Sequence, residues 1–108
     1  MPLLTIAPSA ARTVTGSAAA LPGSGGLATL RAQLDVTAAS GTTPTLDVVL
    51  EDTIDGTNYN TIATFTQLTA AGRLVVNVTT PFSDTLRARW TIGGTTPSFT
   101  FSVLAWGE

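Results

Sequence analysis

The side chains best equipped for chemistry are clustered: Glu51, Asp52, Asp55 and Asn58 fall within one short stretch around Gly56. Two carboxyl groups flanking a cleft, one of them with a raised pKa, are the equipment of a glycoside hydrolase. The same oxygens are hard ligands suited to calcium. A chain of 108 residues, however, has little material from which to build a catalytic cleft. The spacing also lacks the alternating acids and terminal Glu of a helix–loop–helix calcium site. The plainer reading is a turn, in which Asp55 and Asn58 bond their own backbone beside the Asp55-Gly56 pair.

The missing residue types narrow the chemistry further. The chain has no histidine, no cysteine and no lysine. That removes the commonest general base, the soft metal ligands, the strongest nucleophile and any Schiff-base or phosphate-binding amine. No glycine-rich loop leads into a helix able to cradle a nucleotide. The expectation is a protein that is not an enzyme and that uses no cofactor, metal or disulfide.

Charge bears on partners. Charged residues are 11% of the chain, against a typical quarter or so, while hydrophobic residues are 44%. A surface this poor in charge is suited to burial against copies or other proteins, although a Ser- and Thr-rich surface can also stay soluble. Net charge is −2, and Arg12, Arg31, Arg73, Arg87 and Arg89 are scattered among acids, so no phosphate-binding footprint is expected. No run approaches the roughly 18 apolar residues of a membrane helix. The N-terminus lacks the positive start and continuous apolar stretch of a signal peptide.

The elements that would position these side chains are strands. From Leu27 onward the apolar period is two: Leu30, Ala32, Leu34 and Val36 alternate with polar residues, as do Leu46, Val48 and Leu50. Tyr59 to Thr66 breaks strict alternation and calls for a bulge. Leu74, Val76 and Val78 face one way before Pro81 ends their strand. Leu86, Ala88, Trp90 and Ile92, then Phe99, Phe101, Val103 and Ala105, complete the pattern.

A repeat organises them: Leu30-Arg31-Ala32-Gln33-Leu34 returns as Leu86-Arg87-Ala88-Arg89-Trp90, and Gly41-Thr42-Thr43-Pro44 returns as Gly94-Thr95-Thr96-Pro97. Each copy reads as strand, glycine turn, strand, predicting two equivalent hairpins. The fold class expected is all-β, an antiparallel β-sandwich or jelly roll of roughly six to eight short strands.

Residues 1–26 form a separate region rich in Ala, Ser, Thr, Gly and Pro, read as an extended N-terminal arm ahead of a sandwich domain at 27–108. The arm either orders against a neighbouring subunit or frays. Leu3, Leu4 and Ile6 are its apolar anchors. Trp106 alternates onto the polar row of Thr100, Ser102 and Leu104. It reads as a subunit-contact anchor with Leu104, as a sugar-stacking platform, or as a core residue if the register is displaced by one.

Taken together, LDVTAASGTTPTLDVVLEDTIDGTNYNTIATFTQLTAAGR and LRARWTIGGTTPSFTFSVLA resemble small virion proteins of tailed bacteriophages, over about three quarters of the chain, from Leu30 to Ala105. The resemblance implies a structural role with no catalytic residues, and within that class a domain of this size with an N-terminal arm is similar to capsid decoration proteins. These bind the assembled major capsid lattice as trimers or other homo-oligomers at the virion surface. Tail and head–tail connector sandwiches are the alternative within that class. A carbohydrate-binding module is the alternative outside it.

Overall fold

The computed structural model describes residues 3–108. Among the described residues seven strands and no helix follow in order: β1 (Leu3–Arg12), β2 (Gly16–Ser17), β3 (Leu21–Pro22), β4 (Leu30–Thr53), β5 (Tyr59–Thr64), β6 (Gly72–Val78) and β7 (Thr85–Gly107). All pairings are antiparallel and join one sheet, whose backbone is the β4–β7 ladder. The all-β class expected from the alternation and the abundant threonine is what forms.

The two predicted hairpins are a correction. β4 and β7 do not turn back on themselves; each runs through its Gly-Thr-Thr-Pro segment, and the two pair with one another from Leu30↔Gly107 to Thr53↔Thr85. The register slips in the middle, around Thr42↔Thr95, where the two Gly-Thr-Thr-Pro segments meet. There Gly41 and Gly94 share a φ of 111°, and Thr43 and Thr96 sit at 47° and 46°. A Cβ on Gly41 would lie 2.7 Å from the Thr96 carbonyl oxygen; one on Gly94 would lie 2.8 Å from that of Thr43. The repeat therefore does mark equivalent places, related by a local two-fold, but they are reciprocal kinks and not turns.

The kinks fold the sheet over. Trp90 and Phe101 belong to one strand, and eleven residues of straight strand would separate them by about 36 Å. Their rings instead meet edge to face with centroids 5.3 Å apart. The molecule measures 42 × 26 × 20 Å, far shorter than an unbent β4 or β7. The result is a sandwich whose two layers share their long strands at a corner, as bulges and bends allow. One layer has the order β6, β4 (30–40), β7 (98–107), β1; the other has β5, β4 (45–53), β7 (85–93), then β2 and β3.

The inward rows are those read from the alternation. Leu34, Leu46, Leu50, Leu86, Phe99 and Phe101 have no measurable exposure, and they join one core with residues from both layers. Tyr59 to Thr66 contains its bulge: β5 slips by one where Leu50 pairs with Ala63 and Glu51 with Thr61, which turns Ile62 inward.

Residues 3–22 are extended, as expected of an arm, but they lie on their own chain. β1, β2 and β3 run in turn along one edge of β7, and Ile6 and Ala7 enter the core. Residues 23–29 then cross the open end of the sandwich. Ser24 Oγ donates to the Ser83 carbonyl at 2.6 Å, the Gly25 amide to Asp84 Oδ1 at 3.0 Å, and the Ala28 amide to the Glu108 carbonyl at 2.7 Å.

Candidate functional site

Strand alternation separates the carboxylates that sequence had grouped. Glu51 points to the outer face of its layer, where its nearly buried carboxylate accepts from Arg87 Nε at 2.9 Å and Arg89 Nε at 3.1 Å. Arg87 also stacks its guanidinium 3.4 Å from the centre of the Tyr59 ring. Asp52, one residue on, faces the other way and accepts the Ser83 amide at 2.9 Å. Adjacent strand residues cannot share a cleft.

Asp55 is engaged inside its own loop. It accepts from the Thr57 and Asn58 amides at 2.8 Å each and from Asn58 Nδ2 at 2.7 Å, which holds its pKa far below the usual carboxylate range. Among the described residues no three His, Cys, Asp or Glu side chains converge in a way that suits a metal ion. The arrangement is that of a hydrogen-bonded turn.

The apolar candidates divide by the same alternation. Ile6 is a core residue at 2% exposure, and Leu4 packs half-buried against that core, so neither is on the outer surface. Leu3 lies directly opposite Trp106, and Thr5 opposite Leu104, all four on the outer side of the first layer. Trp106 is 41% exposed while its neighbour Ala105 is buried, which settles the register: the indole is outside the core.

Continuing across the layer, Trp106 pairs with Arg31 and Leu104 with Gln33, and beyond them Gln33 pairs with Val75 on β6. Leu3, Leu104, Trp106 and Val75 thus line a shallow depression of about 250 Å³, with Arg31 and Gln33 as its polar members. Leu3 and Val75 are 58% and 45% exposed, so with Trp106 the face combines three exposed large apolar side chains, from β1, β7 and, across β4, β6. Arg31 makes no ion pair among the described residues, whereas Asp35 and Arg73 at the border approach to 3.8 Å.

Leu3, Leu104 and Trp106 were legible from the sequence, while Val75 and Arg31 were not. The signal for Val75 was present: Leu74-Val75-Val76 places an apolar residue on the row that alternation reserves for polar ones. Arg31 joins the face only because β4 lies between β6 and β7, a fact of pairing order.

Arg12 is the other site that sequence reasoning missed. Its guanidinium lies 4.7 Å from the Trp90 ring centre and 4.3 Å from that of Phe101, and it donates to the carbonyls of Pro8, Ala10 and Phe101. Partial burial lowers its pKa. It stands at the C-terminal end of β1, against one ring from each layer. No protein-family model and no curated protein matches this chain.

Proposed function

We propose that this protein is a non-enzymatic structural subunit of an assembled particle, docking on other subunits through the outer face of Leu3, Val75, Leu104 and Trp106. The observation that carries the reading is the convergence of those side chains from three strands on one otherwise polar surface. An exposed tryptophan flanked by aliphatic side chains and a cation without an ion pair has the make-up of an interface hot spot. Exposed on a free monomer, the same patch has only its solvation cost.

The resemblance of residues 30–105 to small virion proteins of tailed bacteriophages gives the proposal its setting. In that setting the chain is a capsid decoration protein, oligomeric and most suitably trimeric, bound to the major capsid lattice at the virion surface. Because such a protein binds the assembled lattice and not the free capsid subunit, its binding free energy adds to shell stability by linkage. A tail or connector component would use the same face on a different partner.

The test is to measure what the protein co-sediments with: capsids stripped of accessory proteins, tail tubes, or neither. Capsid binding is expected, and Trp106→Ala should weaken it by at least about 2 kcal/mol, roughly 30-fold. Binding to tails alone would move the protein to the other virion class. Binding to neither, together with Trp106-dependent retention on a glycan array, would overturn the structural reading.

A further inference from the structure

We infer that the N-terminal arm is an exchangeable element, and that the edge of β7 in one copy is a binding site for residues 3–22 of a second copy. The inference rests on where the arm's bonds go. Among the described residues β1, β2 and β3 have no strand partner other than β7. Among the described residues, every hydrogen bond that leaves residues 3–22 also ends on β7. The indole Nε1 of Trp90 donates to the Val14 carbonyl, the Ile92 amide to Thr15 Oγ1, Arg12 to the Phe101 carbonyl, and the Ala18 amide to the Ala88 carbonyl.

The joint behind the arm is held independently of it. Gly23, Ser24 and Gly25 bond to the Ser83–Asp84 loop, and Leu27 packs on Gly107, so these contacts persist whichever arm occupies the edge. Gly23, at a φ of 120°, lies at the boundary between the two sets of contacts, a conformation that only glycine adopts freely. Rotation there redirects the whole arm.

β1 itself is suited to release. Its register with β7 slips twice, between Thr5 and Ala7 and between Ala7 and Ala10, and Pro8 sits within it. Only Ile6 and Ala7 of its residues are fully buried. A segment with few buried groups opens more readily than the core strands around it. An arm delivered by a neighbour makes the same bonds as the chain's own, so the balance between the two is set by local concentration. Crowding copies onto a particle raises it. The partner is a second copy of this chain, because the edge is complementary to this arm's own sequence.

The absence of cysteine makes the test clean. Ala11 and Thr100 are opposed across β1 and β7, as are Ser17 and Arg89 across β2 and β7, at separations that a disulfide spans. A11C and T100C are made in separate full-length chains of distinguishable mass, mixed at high concentration and oxidised. The expected product is the mixed A11C–T100C disulfide, in several-fold excess over both homodisulfides. Mixed product no more abundant than the homodisulfides, with a chain carrying both A11C and T100C linked only within single chains, overturns the inference. The S17C and R89C pair repeats the measurement at the other end of the arm, and near-UV circular dichroism establishes that each variant is folded. Neither pair touches the Trp106 face, so failure here is separable from failure of the docking proposal.

Discussion

Arg12 shows how one side chain can tie the two layers of a sandwich together, since Trp90 and Phe101 belong to different layers. Its guanidinium meets two aromatic faces and three carbonyls and, among the described residues, no carboxylate. Arg12→Ala is expected to destabilise the fold by about 1–2 kcal/mol, through lost cation–π contact and unpaired carbonyls. Arg12→Lys should recover only part, because an ammonium lacks the planar fork that reaches several acceptors; thermal unfolding of both variants measures this.

Asp55 gives a pH prediction of definite sign. Its folded pKa lies below the ordinary 3.8, so as pH falls the unfolded chain takes up the proton first. Its contribution to stability is present above that value and is lost as pH drops below it. Asp55→Asn should therefore flatten the acid limb of the stability curve below about pH 4, while leaving the slope near neutrality unchanged. Denaturant unfolding across that range reads the difference.

At the scale of elements, the reciprocal kinks decide the architecture. Gly41→Ala and Gly94→Ala would each force a side chain into a backbone conformation reserved for glycine and into the opposite strand's carbonyl. Each is expected to cost more than about 2 kcal/mol, and the two costs should be similar because the sites are equivalent. Thr43→Gly or Thr96→Gly, by contrast, relieves a positive φ on a β-branched residue and should be close to neutral. Chemical denaturation of the four variants tests the pattern.

These same segments mark the limit of what the sequence discloses. Alternation assigned faces correctly, from Leu30 to Val36 and from Phe99 to Ala105, because burial acts on each strand locally. It could not distinguish a hairpin turn from a kink, since both need glycine and a break in period. The difference lies in which strand pairs with which, and the two Gly-Thr-Thr-Pro segments stabilise each other only after meeting across 53 residues of sequence. The arm was legible as extended but not as an edge strand, because its small residues carry little period. The outer face was half legible: its β7 members follow from alternation, Leu3 stood out only as an apolar residue of the arm, and its β4 and β6 members depend on strand order.

For the whole molecule, sharing both long strands between the two layers removes any line along which the sandwich could divide. Leu46 and Leu34 lie in different layers yet in one strand and one core. Unfolding is expected to be a single transition, with near-UV and far-UV circular dichroism changing at one denaturant concentration. Separate transitions would mean that one layer persists without the other.

The β4–β7 ladder also constrains how the protein is made. Leu30 has its partner at Gly107, and Val36 at Phe101, so the earliest long strand to be synthesised waits for the latest. While residues 98–107 are still inside the ribosome, the apolar row of 30–36 has no β7 to pair with. Contacts this distant in sequence also form slowly after release. In the interval the nascent chain leaves that apolar row short of its β7 partner, and a cell producing many copies must keep those strands from finding one another first.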